Sequence, residues 1–216
     1  MRLTHLGHAC LLVEVGGARI LVDPGVFTPD FETVTGLDAV LLTHQHADHV
    51  DAHRLPALLA ANETAALVAE PDTVQQLDAA GLPAESLRPG DERRFGAARV
   101  RAVGGRHARL LEDTPVIGNV GLLVSADGEP TLFHPGDSYE VIPSGVEVLA
   151  LPLAAPWTGG RGTVEFLRAA VPQLAVPIHD GLLTPPGREI YLGMVETFGP
   201  DSTRVLDLAG AGSIEV

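Results

Sequence analysis

One cysteine, Cys10, stands alone among 216 residues, so the chain holds no internal disulfide. A lone Cys of this kind reads as a small buried hydrophobe rather than a reactive thiol. Aromatic residues are nearly as scarce, at 4% with one tryptophan, so the core has to come from Val, Leu, Ile and Ala. Positive charge is in short supply too: 14 basic against 28 acidic residues leave a formal charge of −14. Such a surface repels a long phosphate backbone, which argues against long nucleic acids and anionic membranes as partners. Bound divalent cations would reverse the field locally, so a small anionic substrate remains compatible with this balance. Long apolar runs are missing as well. Glu14 and Arg19 break up the N-terminal apolar stretch, and nothing approaches the roughly 20 residues of a membrane span. The opening residues do not read as a signal peptide, and a cytoplasmic protein is the expectation.

What is present is the material of a folded α/β protein. Hydrophobic residues make up 45% and charged residues 19%, and no linker divides the sequence, so one domain is expected over residues 1–216. Short apolar runs bounded by Gly, Pro and Asp predict strands at Leu3–Leu6, Cys10–Val15, Arg19–Val22, Ala39–Leu42, Ala66–Ala69 and Arg99–Val103. Further strands are expected at Gly121–Ser125, Thr131–His134, Val148–Leu151, Leu174–Ile178 and Arg204–Leu208. Gly16-Gly17 and Asp127-Gly128 read as hairpin turns. Apolar spacings of three and four predict helices over Ala52–Ala61, Thr73–Ala80, Val164–Ala170 and Arg188–Phe198. Each half runs from strands into strand–helix alternation, a pattern satisfied by two sheets packed face to face with helices outside.

The chemistry concentrates in Thr43-His44-Gln45-His46-Ala47-Asp48-His49, which follows the apolar run Ala39–Leu42. Four potential ligands in six residues cannot all face one way on a strand or a helix. On a tight loop before a helix beginning near Asp51 they can converge, and imidazoles with a carboxylate suit Zn²⁺ and neighbouring divalent metals. Asp23, His107, Asp137 and His179 each sit just beyond another apolar strand, where side chains leave the scaffold yet still converge. Gly25, Gly136 and Gly181 lie beside three of these positions and are read as permitting tight turns.

These motifs, in order, resemble those of the metallo-β-lactamase superfamily: Asp23 in LVDPG, HQHADH at 44–49, His107, Asp137 in HPGDS and His179 in PIHDG. THLGHACLLVE, GNVGLLVSADGEPTLFHPGDS and LPLAAPWTGG look most like its small ascorbate-6-phosphate-lactonase-like branch. The resemblance implies an αββα sandwich and two divalent metal ions, zinc first, with manganese or iron as alternatives. Carried over, it puts one ion on His44, His46 and His107 and the other on Asp48, His49 and His179, with Asp137 bridging. Asp23 would orient the histidine loop instead of binding metal. The implied activity is a metal-dependent hydrolase: a hydroxide bridging the two ions attacks an ester, lactone or phosphodiester of a small substrate, aimed by Asp48 or Asp137. Asp180 departs from the aromatic residue often found there in the branch, which leaves the pocket lining open. The alternative is a non-hydrolytic di-iron redox protein, whose usual glutamate is replaced here by His46.

Other residues carry open readings. His8, in the turn between the first two strands, either contacts substrate or a ligand or caps its turn. His107 is otherwise an exposed loop histidine. His134 is read as packing behind the metals, while His5 and His53 are structural or exposed. Arg106 and Arg109 either meet an anionic substrate group or, by preference, face solvent. Trp157 either caps the core or, the preferred reading, walls the pocket.

Overall fold

Alternating burial turns the apolar runs into strands that serve two layers at once. The computed structural model describes residues 1–216. Strands β1 (Arg2–Gly7), β2 (Cys10–Val15) and β3 (Ala18–Val22) pair antiparallel. The sheet continues in parallel through β4 (Ala39–Leu42), β5 (Ala66–Ala69) and β6 (Glu85–Ser86), with crossovers by α1 (Leu55–Ala60) and α2 (Pro71–Ala79). The second half repeats this plan. Strands β7 (Glu92–Phe95), β8 (Ala98–Gly104), β9 (Val120–Ser125) and β10 (Leu132–His134) are antiparallel. Strands β11 (Val148–Pro152), β12 (Leu174–Ile178) and β13 (Arg204–Val205) follow in parallel, joined by α3 (Gly160–Ala170) and α4 (Pro185–Phe198). Strand β14 (Ser213–Glu215) returns to pair with β1. The result is two seven-stranded mixed sheets, β14-β1-β2-β3-β4-β5-β6 and β13-β12-β11-β10-β9-β8-β7.

Period-two alternation decides what each strand residue touches. Leu11, Val13, Ile20 and Leu41 of one sheet meet Val100, Leu122, Val124 and Val176 of the other in a single core of 27 buried residues. Their outward neighbours Leu12, Leu21, Val40 and Leu42 pack on Leu55 and Leu58 of α1 and Leu77 of α2. On the far side, Leu123, Leu149 and Leu151 pack on Val164 and Leu167 of α3 and Val195 of α4. This is the αββα sandwich. No helix is long and apolar enough to cross a membrane.

The departures from the expected elements have local causes. The helix expected near Asp51 starts at Leu55, because the Asp51 carboxylate caps a preceding turn. It accepts from the His53 and Arg54 amides at 3.0 and 3.1 Å and from Arg54 Nε at 2.7 Å. The strand expected over Arg204–Leu208 stops at Val205. Strands β6, β7 and β14 went unforeseen: short and mostly polar or exposed, they carry no apolar run to announce them.

The layout brings the β3, β4, β10, β11 and β12 C-termini to one rim, beside the β1–β2 turn and the segment following β8. Every residue singled out from the motifs leaves the scaffold there. Leu122 is fully buried between the sheets. Leu122→Ala should therefore cost about 2–5 kcal/mol in urea denaturation; a loss well under 1 kcal/mol would contradict this face-to-face packing.

Candidate metal centre

Asp23 organises the loop that follows β4. Its fully buried carboxylate accepts from the Thr43 amide at 2.8 Å (Oδ1), and from the Thr43 hydroxyl and His49 Nδ1, each at 2.7 Å (Oδ2). Having donated its proton to Asp23, Thr43 Oγ1 accepts from His44 Nδ1 at 3.0 Å. His107 Nδ1 donates to the Ala108 carbonyl at 2.6 Å, and His179 Nδ1 to the Ala154 carbonyl at 2.7 Å. Four imidazoles therefore carry a proton on Nδ1, and each turns Nε2 inward.

Those four Nε2 atoms, of His44, His49, His107 and His179, are buried with no hydrogen-bond partner, and so is Asp137 Oδ1. Asp137 lies between them. Its Oδ1 is 3.1 Å from His49 Nε2 and 3.2 Å from His179 Nε2, close but not aligned as hydrogen bonds. Its Oδ2 faces His107 Nε2 at 3.5 Å and His44 Nε2 at 4.0 Å. The donors fall into two groups, His44, His46, His107 and Asp137, and His8, Asp48, His49 and His179, each with its ligand atoms within 4.8 Å of one another. All seven ligands expected from the motifs are thus drawn together, His107 included, with His46 exposed and Asp48 half-buried on the open side.

A buried polar atom without a partner costs about 1–3 kcal/mol, and native structures rarely keep several in one place. Five of them around one space, four imidazole and one carboxylate, form a donor set that fits divalent cations of the zinc type. The local charge agrees. Burial would raise the Asp137 pKa, but His49, His107 and His179 hold it well below the usual carboxylate range. Burial likewise opposes ionisation of Asp48, yet the His8 hydrogen bond and His49 bring it down to about 2. His49 is pushed well above the ordinary histidine value, because the Asp137 and Asp23 carboxylates outweigh its burial. Burial and the neighbouring His49 push His44 well below that value.

The backbone is bent to serve this arrangement. Asp23, His8 and His179 all adopt left-handed conformations, with φ of 50°, 53° and 58°, an uncommon state for residues with side chains. Of the glycines read as turn formers, Gly136 has a φ of 60° and fits that reading. Gly25 does not: its φ is not positive, and a Cβ there would lie 1.9 Å from the Asp48 carbonyl oxygen. Gly181 is likewise an approach residue, 3.0 Å from His8 Nδ1 by the same measure.

Several supporting residues escaped the reading of the sequence. Thr43 is one, Asn119 another: buried, Asn119 accepts from the Asp137 amide at 2.9 Å and donates to the Pro135 carbonyl at 3.0 Å. A polar residue between Gly118 and the β9 strand was the available signal. Trp157 Nε1 donates to Asp137 Oδ2 at 2.8 Å, and the ring packs edge-on against Tyr139 at 4.8 Å. Together with His107, Ala108, Val116 and Ser138 they line an open pocket of about 380 Å³, so Trp157 is a wall of it. Arg106 and Arg109 lie on the same pocket's rim, but Arg106 pairs with Glu140, and Arg109 donates to the Glu112 carbonyl at 2.6 Å. A roomier polar groove of about 450 Å³ beside Met1, Glu14 and Glu129 holds none of the histidines.

The remaining expectations sort by their partners. His134 is fully buried, donates from Nε2 to the Ala9 carbonyl at 2.9 Å and accepts from the Gly136 amide at 3.2 Å, which leaves no nitrogen for a cation. His5 is buried and donates to the His8 carbonyl at 2.8 Å, while His53 is exposed. Asp180 is tied to Arg188 Nε at 2.7 Å. Cys10 is buried, and that burial raises its thiol pKa.

A family described as "Beta-lactamase superfamily domain" matches residues 2–179. The chain is 46% identical over 207 residues to the Mycobacterium tuberculosis protein Rv0786c, covering 95% of this chain and 96% of that one. It is 30% identical over 208 residues to a metal-dependent hydrolase of Methylobacterium nodulans, covering 84% and 85% respectively. Among solved structures, an isothiocyanate hydrolase from Delia radicum gut bacteria superposes with a TM-score of 0.74 at 20% identity, over 100% of this chain and 99% of that one. That last likeness is one of fold alone.

Asp23→Asn tests the role of the buried carboxylate. An amide nitrogen facing His49 Nδ1 would drive the ring proton to Nε2 and remove a lone pair from the centre. Zn²⁺ affinity should fall about 10–100-fold in a chelator-competition titration with the far-UV spectrum preserved; undiminished affinity would show that Asp23 does not set the tautomer. Trp157 is the chain's one tryptophan and touches Asp137, so its emission should be quenched as Co²⁺ is titrated in, and a flat titration would count against binding there.

Proposed function

Because the chain belongs to the metallo-β-lactamase superfamily, we propose that it is a hydrolase acting on a small substrate with two divalent cations at this centre. The observation that carries this reading is the set of buried, unpartnered Nε2 and Oδ1 atoms converging from four separate loops. In this reading His44, His46 and His107 would hold one cation, Asp48, His49 and His179 the other, and Asp137 would serve both. Zinc suits the imidazole-rich set, with manganese or iron as substitutes. Such cations supply Lewis acidity and bring the pKa of a water down towards neutrality.

The protein's own groups account for the rest. Asp48, on the open side of the centre with a pKa near 2, is ionised throughout the neutral range. It serves as a fixed hydrogen-bond acceptor that orients a nucleophile, since a carboxylate so acidic stores no proton at neutral pH. Trp157 and Tyr139 form a wall of the adjoining pocket, where the ester, lactone or phosphodiester group of a substrate would lie beside His107. Cys10 lies buried and offers no thiol nucleophile to this centre. A pocket of about 380 Å³ suits a small molecule.

Elemental analysis of protein purified with Zn²⁺ or Mn²⁺ should give two ions per chain, with turnover on an ester, lactone or phosphodiester panel. His46→Ala and Asp137→Ala should each abolish turnover and lower metal uptake while the fold persists. Full activity in either variant would sink the assignment.

A further inference from the structure

Six imidazoles crowd the Asp48–Asp137 region of the centre, and one of them is wired backwards. His44, His49, His107 and His179 each commit Nδ1 to an acceptor and leave Nε2 unpartnered. His8 does the opposite. Its Nδ1 accepts the Gly181 amide proton at 3.0 Å, so that nitrogen carries no hydrogen. The ring proton therefore sits on Nε2, which lies 3.1 Å from Asp48 Oδ2. Neither nitrogen is left with a lone pair for a cation, although His8 lies among the donors of the Asp48 group.

The surroundings hold that state in place. His8 is 1% exposed, packed edge-on against Phe27 at 5.3 Å and tilted over His179 at 4.0 Å, which shuts it off from substrate. Its left-handed backbone and its carbonyl, which accepts from the His179 amide at 2.7 Å, fix where the ring starts. Gly181 has no side chain, which lets its amide approach so closely. Asp48 sits half-buried on the open side of the centre beside the like-charged Asp137, and the His8 hydrogen bond holds its Oδ2.

We propose that His8 is a positioning residue, a neutral imidazole protonated at Nε2 that aims the Asp48 carboxylate into the centre and ligates no metal. The proposal rests on the reading of this centre as a metal site, and its test separates the two. In Zn²⁺ titrations against a competing chelator, His8→Ala and His8→Gln should both still bind two ions per chain. The weaker ion should lose about 10–100-fold in affinity in the alanine variant and recover most of it in the glutamine variant, whose amide nitrogen can reach Asp48. One ion per chain in both variants would make His8 a ligand and overturn the proposal, as would unchanged affinity in both. Long-range ¹H–¹⁵N spectra of the imidazoles in wild-type, metal-free protein read the tautomer directly. His8 should show the Nε2–H pattern, against Nδ1–H for His44, His107 and His179; Nδ1–H at His8 overturns the proposal. Wild-type protein that binds no ion refutes the metal centre itself, and the spectra then decide the His8 tautomer alone.

Discussion

The Asp23 carboxylate accepts from the Thr43 amide, the Thr43 hydroxyl and His49 Nδ1 with no surface of its own exposed, and the donor geometry follows from that anchorage. A buried carboxylate without such partners would cost several kcal/mol. Here each acceptance fixes something: the amide bond ends β4, the hydroxyl bond turns Thr43 so that it can hold His44, and the His49 bond settles a tautomer. Ring orientation is thus set from behind, by groups that never reach the reacting space. The same principle recurs at the Ala108 and Ala154 carbonyls, where backbone takes the place of a carboxylate.

How far this was legible in the sequence depended on what kind of signal each part leaves. The buried strands left apolar runs, and β2, β4, β5 and β12 fall where those runs lie. Edge strands such as β7, Glu-Arg-Arg-Phe, are solvated on one face and have no such signature. The residues gathered at the candidate centre were legible because imidazoles and carboxylates after strands are chemically conspicuous. Their supports were not: Thr43, Asn119 and two alanine carbonyls are ordinary groups whose importance lies only in where the chain folds them. His8 was visible as a residue but not as a role, since a tautomer depends on the Gly181 amide 173 positions away. Gly25 misled, because a glycine demanded by close approach looks the same in sequence as one demanded by a turn.

The charge of the chain and the charge of the centre answer different needs. The chain carries a formal charge of −14, and a net charge of that sign repels polyanions at long range. Inside the centre, imidazoles surround Asp137 and Asp48 and keep both ionised. A molecule small enough to reach the centre would meet this local set of donors, and not the surface average.

The donors come from both sheets, and this ties chemistry to stability. His44, His46, Asp48 and His49 leave the first sheet, whereas His107, Asp137 and His179 leave the second. Apart from the apolar core, few bonds join the two at this rim, among them the Val120 amide to the Thr43 carbonyl at 3.0 Å and the His179 amide to the His8 carbonyl at 2.7 Å. A cation that draws ligands from both sides acts as a further cross-link, favouring the folded state by about 4 kcal/mol at a thousandfold excess over its Kd. The strained φ angles of Asp23, His8 and His179 act against the fold, at about 1–3 kcal/mol each. Strain and unpartnered lone pairs thus gather at one rim, where the inter-sheet core is the element strong enough to hold them. A metal would relieve the lone pairs but not the backbone, so the fold has to carry that strain whether or not the centre is loaded.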